Sequence, residues 1–453
     1  MNKGFLSKKV TGLILITSFM LALITKIIFS ADFLILIGFL ILTILIIFFL
    51  YKPEIGLIIL LIVRTATDKI GSDFSFNLGQ NFSINANALI GITSIGIVFL
   101  FLLFNKNKSA KNILVPLAGW IIYLAVASFS IIFSIDKLAS GYELLRLLSI
   151  FSIFLLGYFI ASSKKPEFAF KSVLYSSIIP LTFALYQLVT ETGMGRIAGL
   201  SSRLYGTFSE PNGFAAFCLI IIAITVFYLI QRKSNALASN NFNAYLLLSF
   251  LVLILIATFS RGGWLALIIF SIALSLFKKP KFLLLIFAGL FFLIITVEPI
   301  RDRVEDVYNP PITSSVYWRF EQWDKMYRLF KQQPWTGYGA GTETVVHEKE
   351  FGFYSGNPYT HNDLLKNALE MGIFGVIAYS LLIISTSVFL LIKYFKEKNK
   401  NYRNIILIVF LLFLAELGFS MTSNILRSTV IQWLIWFLVG SSLGILIKPK
   451  KRN

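Results

Sequence analysis

Residues 212–230 read NGFAAFCLIIIAITVFYLI, nineteen residues without a charge, and the chain turns basic just beyond them at Arg232 and Lys233. A helix rises about 1.5 Å per residue, so a stretch of this length crosses most of the roughly 30 Å hydrocarbon core of a bilayer. Inside lipid every backbone polar group needs an internal partner, which a helix supplies within itself. The same pattern recurs along the chain. Apolar runs fall near 10–29, 33–51, 54–66, 87–104, 113–134, 141–161, 172–190, 212–230, 243–260, 262–277, 281–297, 371–392, 404–422 and 429–447. The third is short, with Pro53 at its start and Arg64 at its end, so about twelve to fourteen spans fit the sequence. A membrane barrel would instead show alternating segments of about ten residues. The expected fold is an all-α polytopic membrane protein, with residues 1–453 as a single integral membrane domain. Composition agrees, since 14% of the 453 residues are charged, against about 25% in an average soluble domain.

The formal charge of +19 is distributed rather than patched. Basic residues fill alternate loops: Lys52; Lys106, Lys108 and Lys111; Lys164, Lys165 and Lys171; Arg232 and Lys233; Lys278, Lys279 and Lys281; Lys393 to Arg403; and the tail from Lys448 to Arg452. The intervening loops near 30–32, 135–140 and 423–428 are almost uncharged. Excess Lys and Arg mark the cytoplasmic side, which places both termini inside. Loops 64–86, 191–211 and 298–363 then face outward, as does the tight turn at Arg261, and 298–363 is one large extracytoplasmic loop. No basic surface with interleaved aromatics appears, so nucleic acid is not an expected partner. The single cysteine, Cys218, lies in an apolar run and forms neither a disulfide framework nor a thiol metal site. Lys8-Lys9 and the apolar stretch after them resemble a signal peptide, but another run begins at Phe33, so the first is read as a retained span.

Informative polar residues collect on the outward face. In Ala257-Thr-Phe-Ser-Arg-Gly-Gly-Trp264, Ser260 and Arg261 end one span and two glycines open the next. Arginine is disfavoured on this side, and a helix N-terminus with glycines suits an anion such as a phosphate. Alternatively Arg261 snorkels to headgroups and the glycines only permit a tight hairpin. The loop 191–211 carries Arg203, with Glu210 as the nearest carboxylate, and Pro211 suits helix entry with Asn212 or Ser209 as cap. Residues 316–330, VYWRFEQWDKMYRLF, have aromatics at helical spacing around Arg319, Lys325 and Arg328, which reads as an amphipathic helix at the membrane surface. Tyr317, Trp318 and Trp323 there are candidates to stack on sugar rings. The stretch Gln333-Pro-Trp-Thr-Gly-Tyr-Gly-Ala-Gly341 superficially resembles a nucleotide loop, but no strand precedes it. His361 and His347 are the only histidines, and neither has a partner at zinc-ligand spacing. His361, followed by Asn362 and Asp363, sits where a loop enters a helix. Its imidazole can serve as a base near neutral pH, or His361 or Asn362 can simply cap the helix.

Together these segments are more specific than any one alone. Ser260-Arg261-Gly262, Trp318-Arg319 within the large loop, the glycine-rich stretch after Pro334, His361-Asn362-Asp363 and Glu370-Met-Gly-Ile-Phe-Gly375 follow in an order that resembles the O-antigen ligase and polymerase superfamily. The resemblance is densest from Gly206 to Gly375, so the core motifs are placed in 191–375. It implies a glycosyltransferase C-like membrane enzyme of the bacterial cytoplasmic membrane, with its active site extracytoplasmic. Such an enzyme moves a glycan from an undecaprenyl-diphosphate carrier to an acceptor sugar or lipid-linked acceptor, without cofactor, nucleotide sugar or essential metal. On this resemblance His361 is the catalytic base. Arg261 and Arg319 bind the donor diphosphate, with Arg203, Ser260 and Asn362 as further substrate-binding candidates. The chemistry suits those residues, since arginines stabilise a departing diphosphate and a base takes the hydroxyl proton. Attack from the opposite face inverts the anomeric centre. A span count above the dozen usual for ligases leans toward the polymerase branch or a Gram-positive polysaccharide pathway.

The competing class is a transporter or flippase of lipid-linked sugars. Glu143 with Arg146, and Glu416, lie within spans, where ionisable residues are functional candidates by default. No inverted repeat accompanies them, and Glu143 with Arg146 also reads as a simple intramembrane pair. No Ser/His or paired-Asp arrangement within the spans suggests a protease. The orientation is directly testable. With Cys218 replaced by serine, a cysteine introduced at Lys108 should resist a membrane-impermeant maleimide in intact cells, and one at Tyr308 should label. The reverse pattern would invert the topology.

Overall fold

The computed structural model describes residues 47–49, 51–73, 75–77, 83–104, 111–197, 201–232, 242–278, 289, 296–312, 314–352 and 359–446. The expected span 10–29, and most of 33–51 and 281–297, lie outside these residues. The chain opens with α1 (Pro53–Ala66), whose proline sits at the start of the helix where no N–H is needed, and continues into the short α2 (Asp68–Asp73). An antiparallel hairpin, β1 (Ser75–Asn77) with β2 (Ser83–Asn85), pairs Ser75 with Asn85. Five helices follow: α3 (Ala86–Phe104), α4 (Leu114–Ser130), α5 (Lys137–Ala161), α6 (Phe168–Ser176) and α7 (Ile178–Thr190). A second hairpin, β3 (Met194–Ile197) with β4 (Ser201–Arg203), leads to α8 (Pro211–Arg232), α9 (Phe242–Ala257) and α10 (Arg261–Lys278). The last elements are α11 (Glu298–Tyr308), α12 (Ser315–Gln332), α13 (Glu343–Phe351), α14 (Asp363–Lys396), α15 (Lys400–Ser420) and α16 (Thr429–Gly444).

This is an all-α polytopic membrane protein. Among the described residues, seven helices are long and apolar enough to cross a membrane: α4, α5, α6 continued by α7, α8, α10, α14 and α15. The apolar helices α3, α9 and α16 are shorter. These ten correspond to ten of the expected runs, and α1, 14 residues long, corresponds to the short third run. Two boundaries differ from expectation. The run at 172–190 begins earlier, at Phe168, and is interrupted at Ser177. The run at 371–392 belongs to a helix that starts at Asp363, because its first turns are polar and still buried.

Helix α8 is the axis of the bundle. Every residue from Phe214 to Ile224 is buried, Cys218 included, and 89% of its membrane-length window is enclosed. A helix that is apolar all round belongs in the interior, and α8 packs against α6, α9, α10, α15 and α16. The most intimate pair is α5 with α16. Gly440 and Gly444 stand four residues apart, and a Cβ there would lie 2.1 Å from the Phe154 carbonyl oxygen and 2.3 Å from that of Tyr158. Small residues at this spacing let helix backbones touch, which matters where lipid removes the hydrophobic drive to associate. Trp436 locks the same region, its ring 4.8 Å from Trp120 of α4 and 5.7 Å from Phe154 of α5. Gly440→Val should therefore lower stability by about 1–3 kcal/mol, read as a lower thermal midpoint in detergent. Gly96→Ala, where a Cβ meets nothing within 4 Å, should leave it unchanged.

Candidate active site

The turn between α9 and α10 shapes the first half of the site. Phe259 adopts left-handed backbone angles, φ 50°, an uncommon state for a bulky residue that concentrates at functional turns. It lets Ser260 cap α10, the Ser260 Oγ accepting from the Gly263 N–H at 3.2 Å and donating to Asn212 Oδ1 at 2.8 Å. Arg261 is thereby launched from the first position of α10. One of its terminal nitrogens donates to Ser315 Oγ at 2.7 Å, and the other lies 3.4 Å from Asp306 Oδ2. Arg203, at the end of β4, donates from Nε to the Thr258 carbonyl at 2.9 Å and reaches Asn212 Oδ1 at 3.4 Å. Asn212 is thus a bridge between two elements inside the first turn of α8, and Ser209 bonds Asp68 instead. Helix entry at Pro211 is as expected.

These side chains belong to an arginine cluster. Arg203, Arg261, Arg303 of α11 and Arg319 of α12 repel one another electrostatically. Burial first, then the neighbouring charges, push Arg203 and Arg319 down to about 10. Among the described residues only Arg261 of these four has a carboxylate at ion-pair distance, Asp306 at 3.4 Å. The Nε atoms of Arg303 and Arg319 are buried without partners among the described residues. Glu210, in reach of Arg203 and Arg319, is itself raised by burial. Uncompensated guanidinium groups of this kind are a ready receptor for a polyanion.

His361 stands beside the cluster. Its backbone is left-handed, φ 50°, and the ring is buried with Nδ1 unpartnered among the described residues. Desolvation, then the charges of Arg319 and Arg427, push the imidazole down to about 3. It is therefore neutral at physiological pH. Three contacts hold it in place. Trp318 packs edge-on against the ring at 5.7 Å, Trp323 Nε1 donates to the Thr360 carbonyl at 2.6 Å, and the Thr360 N–H donates to Glu343. The expected helix at 316–330 is present as α12, capped by Ser314, with its two tryptophans engaged on the His361 segment and Tyr317 exposed. Asn362 is the cap of α14, its Oδ1 accepting from the N–H groups of Leu364 and Leu365 at 3.0 and 3.1 Å. Its side chain and that of Ser260 are committed within the protein. His347 lies elsewhere, buried on α13 against Phe351 at 5.4 Å.

Beneath His361 lies a charge lattice. Arg146 grips Glu143 with two hydrogen bonds, 2.7 and 2.6 Å, and the Leu426 carbonyl with a third at 2.6 Å. Lys366 reaches Glu143 at 3.2 Å and Glu370 at 2.6 Å. Asp363 accepts from the Leu426 N–H at 2.9 Å. Just beyond Glu370 along the helix, α14 breaks at Gly372, whose φ of 64° no other residue type adopts readily. The break frees backbone groups, and the stretch 333–341 satisfies them. Tyr338 N–H donates to the Leu369 carbonyl at 3.0 Å, Gly339 N–H to that of Glu370 at 2.7 Å, and Ile373 N–H to that of Pro334 at 2.8 Å. The glycine-rich motif is a strap over a broken helix, not a nucleotide loop.

Arg261, Arg319 and Arg203 are therefore brought together, with His361 beside Arg319. Arg303 and Arg427 were not singled out. The rule that flagged Arg261 would also have found Arg427, a cation in an otherwise uncharged 423–428 loop. No group of three or more metal-ligating side chains occurs among the described residues.

The architecture and this site define a polytopic membrane protein with a buried arginine cluster set against a neutral histidine. Residues 244–380 match the family described as O-antigen ligase, a segment holding Ser260, Arg261, Arg303, Arg319, His361 and Asn362. The chain carries an O-antigen ligase domain over those residues, which supports the superfamily of membrane glycan ligases and polymerases. No curated protein matches it. Arg203, Glu210 and Arg427 lie outside the matched segment. The lattice generates a stability test. Lys366→Met strips Glu370 of its cation and should cost about 3–5 kcal/mol, measured by thermal unfolding, with the double variant Lys366→Met/Glu370→Gln recovering part of the loss.

Proposed function

We propose that this protein transfers a glycan from an undecaprenyl-diphosphate carrier to the hydroxyl of an acceptor sugar, on the extracytoplasmic side of the bacterial cytoplasmic membrane. The observation that carries this reading is the juxtaposition of a buried, neutral histidine with an arginine cluster short of counter-charge. Arg203, Arg261, Arg303 and Arg319 hold the donor diphosphate. As the acceptor oxygen attacks the anomeric carbon, His361 takes its proton. The bond from that carbon to the phosphate oxygen breaks, and the electron pair leaves on the diphosphate, where guanidinium groups stabilise the added charge. Attack opposite the leaving group inverts the anomeric centre. No metal is required by this scheme. Ser260 and Asn362 act by positioning Arg261 and His361 rather than by touching substrate. The core motifs then occupy 191–375, within a single membrane domain whose loop 298–363 faces outward with both termini cytoplasmic. The mutual saturation of Glu143, Arg146, Lys366 and Glu370 favours a structural lattice over a translocation path.

Reconstitution with an undecaprenyl-diphosphate oligosaccharide, without nucleotide, tests the scheme. His361→Asn, which tolerates left-handed angles, should keep donor binding and abolish transfer, and Arg319→Gln should weaken donor binding. Growing carrier-linked chains would mark a polymerase, and transfer only to an added second acceptor a ligase. Normal product from His361→Asn would refute the base assignment. The pH dependence has a defined sign. Because the imidazole is held well below its ordinary value of about 6.5, kcat/KM should show no acid loss through that pH. Arg319→Gln, by removing a positive neighbour, should move the acid limb upward.

A further inference from the structure

A cavity of about 1010 Å3 lies between α1, α2, α3, α5, the start of α8 and the approach to α16. It sits at or above the top of the range of about 300–1,000 Å3 usual for small-molecule sites, and so has room for more than a single sugar ring. It adjoins the site just described. Arg427 lines it, lies 3.2 Å from the centroid of the Tyr359 ring, and is one of the two charges acting on His361. Glu210 also lines it and is in electrostatic reach of Arg203 and Arg319. His361 does not itself line the cavity, but Tyr359, two residues before it, and Arg427, whose charge acts on it, both do.

The two compartments differ in chemistry. The arginine cluster is cationic and short of carboxylates. The cavity presents the carboxylates of Asp68 and Glu210, the amides of Asn85 and Asn87, and the rings of Tyr142 and Tyr359, together with Lys137 and Arg427, while its other two cations are paired, Arg64 with Asp68 at 2.8 Å and Arg146 with Glu143 at 2.6 Å. Carboxylates and amides exchange hydrogen bonds with hydroxyls, and aromatic faces cover the apolar faces of sugar rings. Asp68 is pre-set for such a role, its Oδ1 fixed by Arg64 at 2.8 Å and its Oδ2 by Ser209. A neutral imidazole also needs a neutral hydroxyl delivered to it. We propose that this cavity binds the acceptor saccharide and presents its hydroxyl to His361, while the arginines hold the donor. The proposal rests on the transferase reading above. Of the lining residues only Tyr359 falls within 244–380, so acceptor choice resides in helices outside the O-antigen ligase segment.

Filling the cavity tests this. A Cβ on Gly141 meets nothing within 4 Å, and Leu145 also lines the space, 41% exposed. Gly141→Trp and Leu145→Trp, with Gly96→Ala outside the cavity as control, are assayed on lipid-linked glycan extracted from producing cells that lack this chain. Binding of undecaprenyl diphosphate alone is measured in parallel. Both tryptophan variants should keep undecaprenyl diphosphate binding and lose at least about tenfold in transfer rate, with Gly96→Ala resembling wild type. Transfer at the wild-type rate by both tryptophan variants overturns the cavity assignment and leaves the transferase reading intact. Loss of undecaprenyl diphosphate binding in both would assign the cavity to the donor and overturn it as an acceptor site. No transfer by wild type overturns the transferase reading, and this proposal with it.

Discussion

A lysine buried in a helical bundle persists only if its charge is answered, and Lys366 is answered twice, by Glu143 and by Glu370. Arg146 closes the set by gripping Glu143 and the Leu426 carbonyl. Two cations and two carboxylates, each satisfied by another, tie α5 to the first turns of α14 and to the segment before α16. The residue immediately before α14 is its cap, Asn362, and the one before that is His361. The position of the histidine is therefore a consequence of ion pairs below it, with α12 pressing from the side through Trp318 and Trp323.

The break at Gly372 serves the same end. Residues 363–371 are polar enough to carry the lattice, and the remainder of α14 is apolar enough to cross a membrane. One straight helix would leave little freedom to meet both demands. The break separates them, and the strap from Pro334 to Gly339 takes up the backbone groups the break sets free, as irregular backbone in a membrane protein requires. The unneutralised arginines are the counterpart of this economy. Glu143, Arg146, Lys366 and Glu370 answer one another, whereas Arg203, Arg303 and Arg319 have no carboxylate at ion-pair distance among the described residues, which is the pattern of a pre-organised receptor for a polyanion.

Much of this was legible in the sequence, for physical reasons. Apolar runs identify spans because the bilayer imposes their length, and Arg261 stood out because a cation is out of place at that turn. Arg319 and His361 were legible through the order of short motifs. What escaped was whatever depended on pairing in three dimensions. Asp363, Lys366 and Glu370 held the start of the apolar run back to 371, although helix entry was legible at His361, since hydropathy prices each charge separately and cannot see Glu143 opposite. Trp318 and Trp323 looked like sugar platforms but brace Thr360 and His361. Asn212 looked like a cap but links Ser260 to Arg203. Arg303 and Arg427 carried a usable sign in their charge, and only the fold shows that Arg303 joins the arginine cluster and that Arg427 acts on His361.

The central claim is that the arginine cluster receives a lipid diphosphate beside a histidine base. The most direct measurement is an electron cryomicroscopy structure of the protein in lipid nanodiscs with an undecaprenyl-diphosphate-linked glycan. The account predicts diphosphate density among Arg203, Arg261, Arg303 and Arg319, with the anomeric carbon turned toward His361. A diphosphate bound at another place on the protein, with those four guanidinium groups still unoccupied, would contradict it.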